Sequence, residues 1–152
     1  MGQLRIQNMK VGDRYVSTER MVTKTEVEIF CSVTDMRHPL FLSDDYIKSD
    51  EASQKIGLKG SVVPGQLSYS IMLGNLMRDG LLDDVVVQLG ANDVRWPAPA
   101  YPYDRFGTEI EITGNKTTKS GDRIIVDYRW QLKNQRQDIV IEGNNTCMFK
   151  KK

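Results

Sequence analysis

The segment DMRHPLFLSDDY, Asp35 to Tyr46, holds the only histidine of the chain, His38, which follows Asp35 by three residues and directly precedes Pro39. A carboxylate and an imidazole this close can serve as base and acid towards one substrate. They meet if the segment forms a helical turn, because residues i and i+3 share a helix face. The competing reading is structural: a histidine at the end of a helix can hydrogen-bond its last free carbonyls. Asp44 and Asp45 follow Ser43 and suit the first turn of a helix, where the dipole favours negative charge, so they need no catalytic role.

Other chemistry is sparse. Cys31 and Cys147 are far apart, neither belongs to a CxxC pair, and one histidine cannot complete a zinc site with them. No metal or resident cofactor is expected. GLKGSVVPG lacks both GxxxxGK and GxGxxG, so it is not a phosphate loop of either known type. Lys48, Lys55 and Lys59 read as a solvated face, or as scattered partners for an anionic ligand. Tyr69 can hydrogen-bond into a pocket or simply pack.

Composition bounds the rest. The chain has 152 residues, 39% hydrophobic and 27% charged, with a net charge of +1. That fits one soluble domain, residues 1–152, with a core large enough to fold without disulfides. The charge balance suggests no nucleic-acid or anionic-membrane surface. MGQLRIQNMK has no apolar run of signal-peptide type, and no segment reaches the roughly 18 apolar residues of a membrane span. A cytoplasmic protein is expected, and Lys150-Lys151-Lys152 reads as a solvated tail.

The elements that must position these residues follow from periodicity. An extended RYVSTERMV leads to Thr23, which caps a helix with Glu26 as its capping-box partner. Val27, Phe30, Cys31 and Thr34 form its apolar stripe, and it must stop before Pro39. Ser43 caps a polar segment that Gly57 ends. Pro64-Gly65 forms a turn, and from Gln66 to Arg78 the apolar residues are dense enough for a helix buried on most sides. Ser68, Ser70, Gly74 and Asn75 give that helix a second, smaller face. Four extended segments follow, DDVVVQLGANDVRW, DRFGTEIEITGNKTT, DRIIVDYRWQLK and QDIVIEGNNTCMF, and read as an antiparallel meander with one wet face. Helices followed by antiparallel strands make the fold α+β.

Four landmarks in order then resemble the MaoC-like hydratases and dehydratases, a hot-dog family that includes R-specific enoyl-CoA hydratases: VGDRY, FCSVTDMRHPLFLSDDY, GSVVPGQLSYSIML and VRWPAPAYPYDRF. The resemblance spans roughly Val11 to Phe149. It implies a long central helix wrapped by a curved antiparallel sheet, and hydration of a 2-enoyl thioester or its reverse. That chemistry uses an aspartate, a histidine five residues later, and a backbone N–H aimed at the thioester oxygen from the start of the central helix.

Anchored on Pro39-Leu40, the family histidine falls at Phe41. Its aspartate falls at Met36, or at Asp35 if one residue is inserted. Pro64 replaces a histidine that often opens the helix turn, Gly65 matches the oxyanion glycine, and Gln66 follows it. By this resemblance Asp35 and His38 are the catalytic candidates, as a displaced pair. Phe41, Pro64, Gly65, Gln66, Tyr69 and Trp96 are the candidates for substrate binding.

Packing is the alternative reading for Trp96 and Phe106. Asp104 reads as a turn residue before a strand. Tyr101 and Tyr103 read as exposed. The implied substrate is a thioester of coenzyme A or acyl carrier protein, coenzyme A entering only as part of the substrate. The implied partner is a second hot-dog subunit, identical or different, because a hot-dog sheet leaves an edge bare. Two further functions stay open: a non-catalytic subunit that binds acyl-CoA or scaffolds a catalytic partner, and a thioesterase. The latter needs a carboxylate on the central helix, and Gln66 to Arg78 contains none.

Overall fold

The computed structural model describes residues 3–152; Met1 and Gly2, at the start of the stretch read above for a signal peptide, lie outside it. Two short strands, β1 (Arg14–Val16) and β2 (Arg20–Met21), precede helix α1 (Lys24–Thr34). Three short helices follow: α2 (Pro39–Leu42), α3 (Asp44–Ser49) and α4 (Glu51–Lys55). The long helix α5 (Gly65–Arg78) comes next, then β3 (Val85–Arg95), β4 (Arg105–Thr117), β5 (Arg123–Lys133) and β6 (Ile139–Lys150).

The fold is the α+β hot-dog arrangement, with α5 packed on the inner face of one antiparallel sheet. Alternation sets that face. Ile110 and Ile112 of β4, with Val126, Tyr128, Trp130 and Leu132 of β5, are buried against the helix. Glu109 and Glu111 point outward and pair across strands with Lys133 (2.8 Å) and Arg14 (3.3 Å). The capping box of α1 forms as its spacing requires: Thr23 accepts from the Glu26 N–H, and Glu26 accepts from the Thr23 N–H (3.1 Å).

Four expectations change. The sheet order is β1-β4-β5-β6-β3, with β2 also on β4, so only β4, β5 and β6 form the meander. β3 lies beyond β6, and the connection WPAPAYPYD crosses back over the sheet to reach β4. Prolines at positions 97, 99 and 102 cannot continue a ladder, so the chain leaves the sheet there. The first extended segment is broken at residues 17–19 into β1 and β2.

The polar segment after Ser43 is two helices. Asp50 leaves helical geometry (φ −86°, ψ 112°) and caps α4 by accepting from the Ser53 N–H at 2.9 Å. Finally, α5 buries one stripe rather than most of its surface: Ser68, Ile71, Met72, Asn75 and Leu76 face inward, while Ser70, Gly74 and Met77 are exposed. The Ser68 hydroxyl and the Asn75 amide NH2 are hydrogen-bonded there, while Asn75 Oδ1 is buried without a partner. Ser68 donates to the Gly65 carbonyl (2.6 Å), and Asn75 donates to the Phe106 carbonyl (3.1 Å) and to the Thr108 hydroxyl (3.2 Å).

Lys150, Lys151 and Lys152 are exposed, as expected of a solvated segment, and Lys152 reaches the buried carboxylate of Asp84 (2.7 Å), which also accepts from Gln7 (2.9 Å). Among the described residues no helix is long and apolar enough to cross a membrane.

Candidate active site

The first turn of α5 opens onto a cleft of about 570 Å³. Four layers enclose it: Leu40 and Phe41 of α2, Ile56 and Leu58 after α4, Val62 and Val63 before α5, and Trp96 to Ala100 of the crossover. Hydrogen bonds tie these layers together. The Val62 N–H donates to the Leu40 carbonyl (3.0 Å), the Val63 N–H to the Ala100 carbonyl (2.7 Å), and the Lys59 N–H to the Tyr101 hydroxyl (3.1 Å). Tyr101 is therefore half-buried, while Tyr103 is exposed as expected.

Asp44 holds the middle layer. Its carboxylate accepts from the Ser61 N–H (2.8 Å) and hydroxyl (2.9 Å) and pairs with Lys24 at the start of α1. The Lys24 ammonium, then the two Ser61 bonds, hold this carboxyl well below the usual aspartate range. Its role at a helix N-terminus, inferred above from the dipole, thus extends to positioning the loop that feeds α5.

Pro64 is buried and stands at the N-cap of α5 without a side-chain cap. The first N–H groups of a helix have no intrahelical acceptor. Gly65, Gln66 and Ser68 of this turn line the cleft. The indole of Trp96 lies against Gly65, so a Cβ at residue 65 would sit 2.5 Å from the indole nitrogen. No other residue type fits there without moving Trp96. Trp96 is 49% exposed, so it is a cleft wall as well as a packing group, whereas Phe106 is buried core.

The structure thus brings Phe41, Gly65, Gln66 and Trp96 together on one cleft. Tyr69, Gln66 and Trp96 line a neighbouring apolar depression of about 440 Å³ beside Phe30 and Val94. Tyr69 donates to Asn145 Oδ1 (3.1 Å) and accepts from Gln88.

Asp35 and His38 do not line the cleft and do not hydrogen-bond to each other. Asp35 ends α1 in the left-handed region (φ 59°, ψ 20°), and His38 is extended before Pro39 (φ −124°, ψ 140°). The helical turn that would join them is therefore absent. The Asp35 side chain is exposed and pairs with Arg37 at 3.4 Å. Nδ1 of His38 accepts from the Leu40 N–H at 3.0 Å, and the ring stands edge-on to Phe41 and Tyr46. The capping role expected of His38 holds at the start of α2, not at the end of α1. Asp104 is a turn residue: it accepts from the Tyr101 N–H (3.3 Å) and from Gln135 (2.8 Å).

Residue-type reasoning missed one centre. Asn145 on β6 is buried, accepts from Trp130 Nε1 (2.9 Å) and donates to the Tyr128 hydroxyl (3.1 Å). Burial pushes the Tyr128 hydroxyl far above the ordinary tyrosine value. The only sequence signal was position: Asn145 falls on the apolar phase of the alternation Ile141, Gly143, Cys147, Phe149.

Among the described residues no group of histidine, cysteine and carboxylate side chains could hold a metal ion.

A family profile described as MaoC like domain matches residues 7–132. Beta-methylmalyl-CoA dehydratase of Chloroflexus aurantiacus is 24% identical over 147 residues, 96% of this chain and 40% of that protein. The chain therefore spans about two fifths of the length of this curated relative. A Mycobacterium tuberculosis protein with a double hot-dog fold superposes with a TM-score of 0.79 at 15% identity, over 97% of this chain and 44% of that one. The (3R)-hydroxyacyl-ACP dehydratase complex HadBC of the same organism gives 0.69 at 18% identity, over 96% and 98% of the two chains.

Proposed function

The chain belongs to the MaoC-like family, and from that premise we propose that it is an acyl-thioester-binding subunit of a hydratase or dehydratase acting on 2-enoyl or 3-hydroxyacyl thioesters. Its acid–base residues come from a second hot-dog chain. One observation carries this reading: no ionisable side chain lines the cleft, and phenylalanine, Phe41, stands where the family pattern puts histidine. Phenylalanine cannot move a proton, and the carboxylate and imidazole nearest in sequence are engaged with Arg37 and Leu40.

The cleft keeps the binding half of the reaction. An acyl group lies against Phe41 and Trp96. The thioester oxygen meets the free N–H groups of Gly65 and Gln66 at the positive end of α5, where developing negative charge is stabilised. The partner docks on the side of β3, which pairs with β6 only and exposes Val86, Val87 and Leu89. Relatives of more than twice this length, one of them a double hot-dog, support a two-unit working form.

The test uses the purified chain with crotonyl-CoA and with S-butyl-CoA, an unreactive thioether. We expect binding of the thioether and no hydration above the uncatalysed rate until a complementary hot-dog subunit is added. Hydration by the pure chain, abolished in Asp35→Asn, would return the chemistry to Asp35 and overturn the subunit reading.

A further inference from the structure

The cleft identifies the acyl group as well as the thioester. We infer that the acyl group is uncharged and aliphatic, carrying no terminal carboxylate. This inference rests on the acyl-thioester reading above.

Three observations bear on it. All the side chains lining the cleft are uncharged, and only Gln66, Ser68 and Trp96 have polar atoms. The Ser68 hydroxyl is committed to the Gly65 carbonyl at 2.6 Å. Two backbone donors of the wall, those of Val62 and Val63, go to Leu40 and Ala100 within the wall itself. The thioester oxygen takes the donors at the first turn of α5. A carboxylate at the far end of the acyl chain would lose its water and find no cation to pair with among the lining side chains, which is unfavourable in an apolar setting. The nearest cations in sequence sit outside the lining: Lys55 pairs with Glu51 (3.4 Å) on an exposed face, Lys59 follows Leu58 on an exposed position, and Arg95, before Trp96, lines a separate depression with Asp93 and Glu142.

The experiment compares two unreactive probes of equal length, S-hexyl-CoA and S-(5-carboxypentyl)-CoA, by calorimetry on the full chain. Their coenzyme A halves are identical, so any difference reports on the acyl end. S-hexyl-CoA is expected to bind at least about tenfold more tightly. Ile56→Arg places a cation on a cleft residue that is 76% exposed and can change without disturbing the core; it is expected to shrink that ratio to about threefold or less.

Location is read from fluorescence. Trp130 is fully buried, so a ligand in the cleft perturbs Trp96 alone. The fluorescence response should vanish in Trp96→Phe even at S-hexyl-CoA concentrations raised to offset the weaker binding expected from losing this wall residue. Equal or tighter binding of the carboxylated probe overturns the inference alone. A fluorescence response that survives Trp96→Phe overturns it as well, by placing the ligand elsewhere. Binding of neither probe overturns the acyl-thioester reading together with it.

Discussion

The two ends of α5 are built on opposite plans. At the C-terminal end the polar groups are tied to the N-terminal segment of the chain. Asp79 accepts from the Tyr15 hydroxyl (2.9 Å), the Thr18 N–H (3.0 Å) and the Thr18 hydroxyl (2.9 Å), and the Gly80 carbonyl accepts from Arg5 (2.5 Å). At the N-terminal end Pro64 offers no cap, and the first turn faces an apolar cleft. Helix ends left open are destabilising unless something satisfies them. The contrast teaches that one end fastens the helix to the fold, while the other leaves its first turn open to a cleft.

The strongest test removes the fastening. Asp79→Ala should lower stability by roughly 2–4 kcal/mol, because it strands the tyrosine and threonine donors beside a mostly buried site. Urea denaturation measures that loss, and S-butyl-CoA affinity of the remaining folded protein should not change. A parallel loss of affinity would mean that the ends are not separable. The mirror experiment is Gly65→Ala. Its Cβ must displace the Trp96 indole, so affinity should fall about tenfold while stability moves by less than about 1 kcal/mol, because Trp96 is half-exposed. Calorimetry and urea denaturation together check the pair.

Asp44→Asn acts on the loop feeding the open end and should have a smaller effect, about 1 kcal/mol in stability, since the carboxylate is 39% exposed and screened. Its pH dependence has a fixed sign. The folded carboxyl titrates below its unfolded value, so its contribution is fully present above the ordinary aspartate range of about 4 and is lost as pH falls towards the depressed folded value. The gap in urea midpoint between wild type and variant should therefore narrow progressively below about pH 4. The mildest change lies at neither end. Tyr103 holds φ at 71°, so Tyr103→Gly should raise Tm slightly, by the equivalent of about 0.5 kcal/mol, and leave affinity unchanged.

Much of this architecture was legible beforehand because it rests on local rules. The Thr23–Glu26 capping box and the alternation of Val126, Tyr128, Trp130 and Leu132 each state their own outcome. The position of β3 did not, since its own alternation carries no information about which strand it pairs with. At the site, residue types were legible and directions were not. Asp35 and His38 have the spacing of a helical pair, but the left-handed turn at Asp35 and the proline after His38 send them apart. Trp96 was singled out through the family resemblance, and its contact with Gly65 is a long-range fact that no spacing encodes. Asn145 was passed over because QDIVIEGNNTCMF was read as a strand for its apolar residues, and a single asparagine on the inward phase matches no motif.

Asn145 also acts together with Gly143, two residues away on the same face of β6. Gly143 lies opposite Trp130, and a Cβ there would sit 2.8 Å from the indole ring. The glycine makes room for the ring, and the asparagine receives its N–H. A slip of β6 by one residue would put Asn144 against the indole and turn Asn145 out to solvent, which removes both the space and the acceptor. The β5–β6 pair therefore proofreads its own alignment: misregistered sheets are penalised twice over, and the concave surface that seats α5 forms in a single alignment.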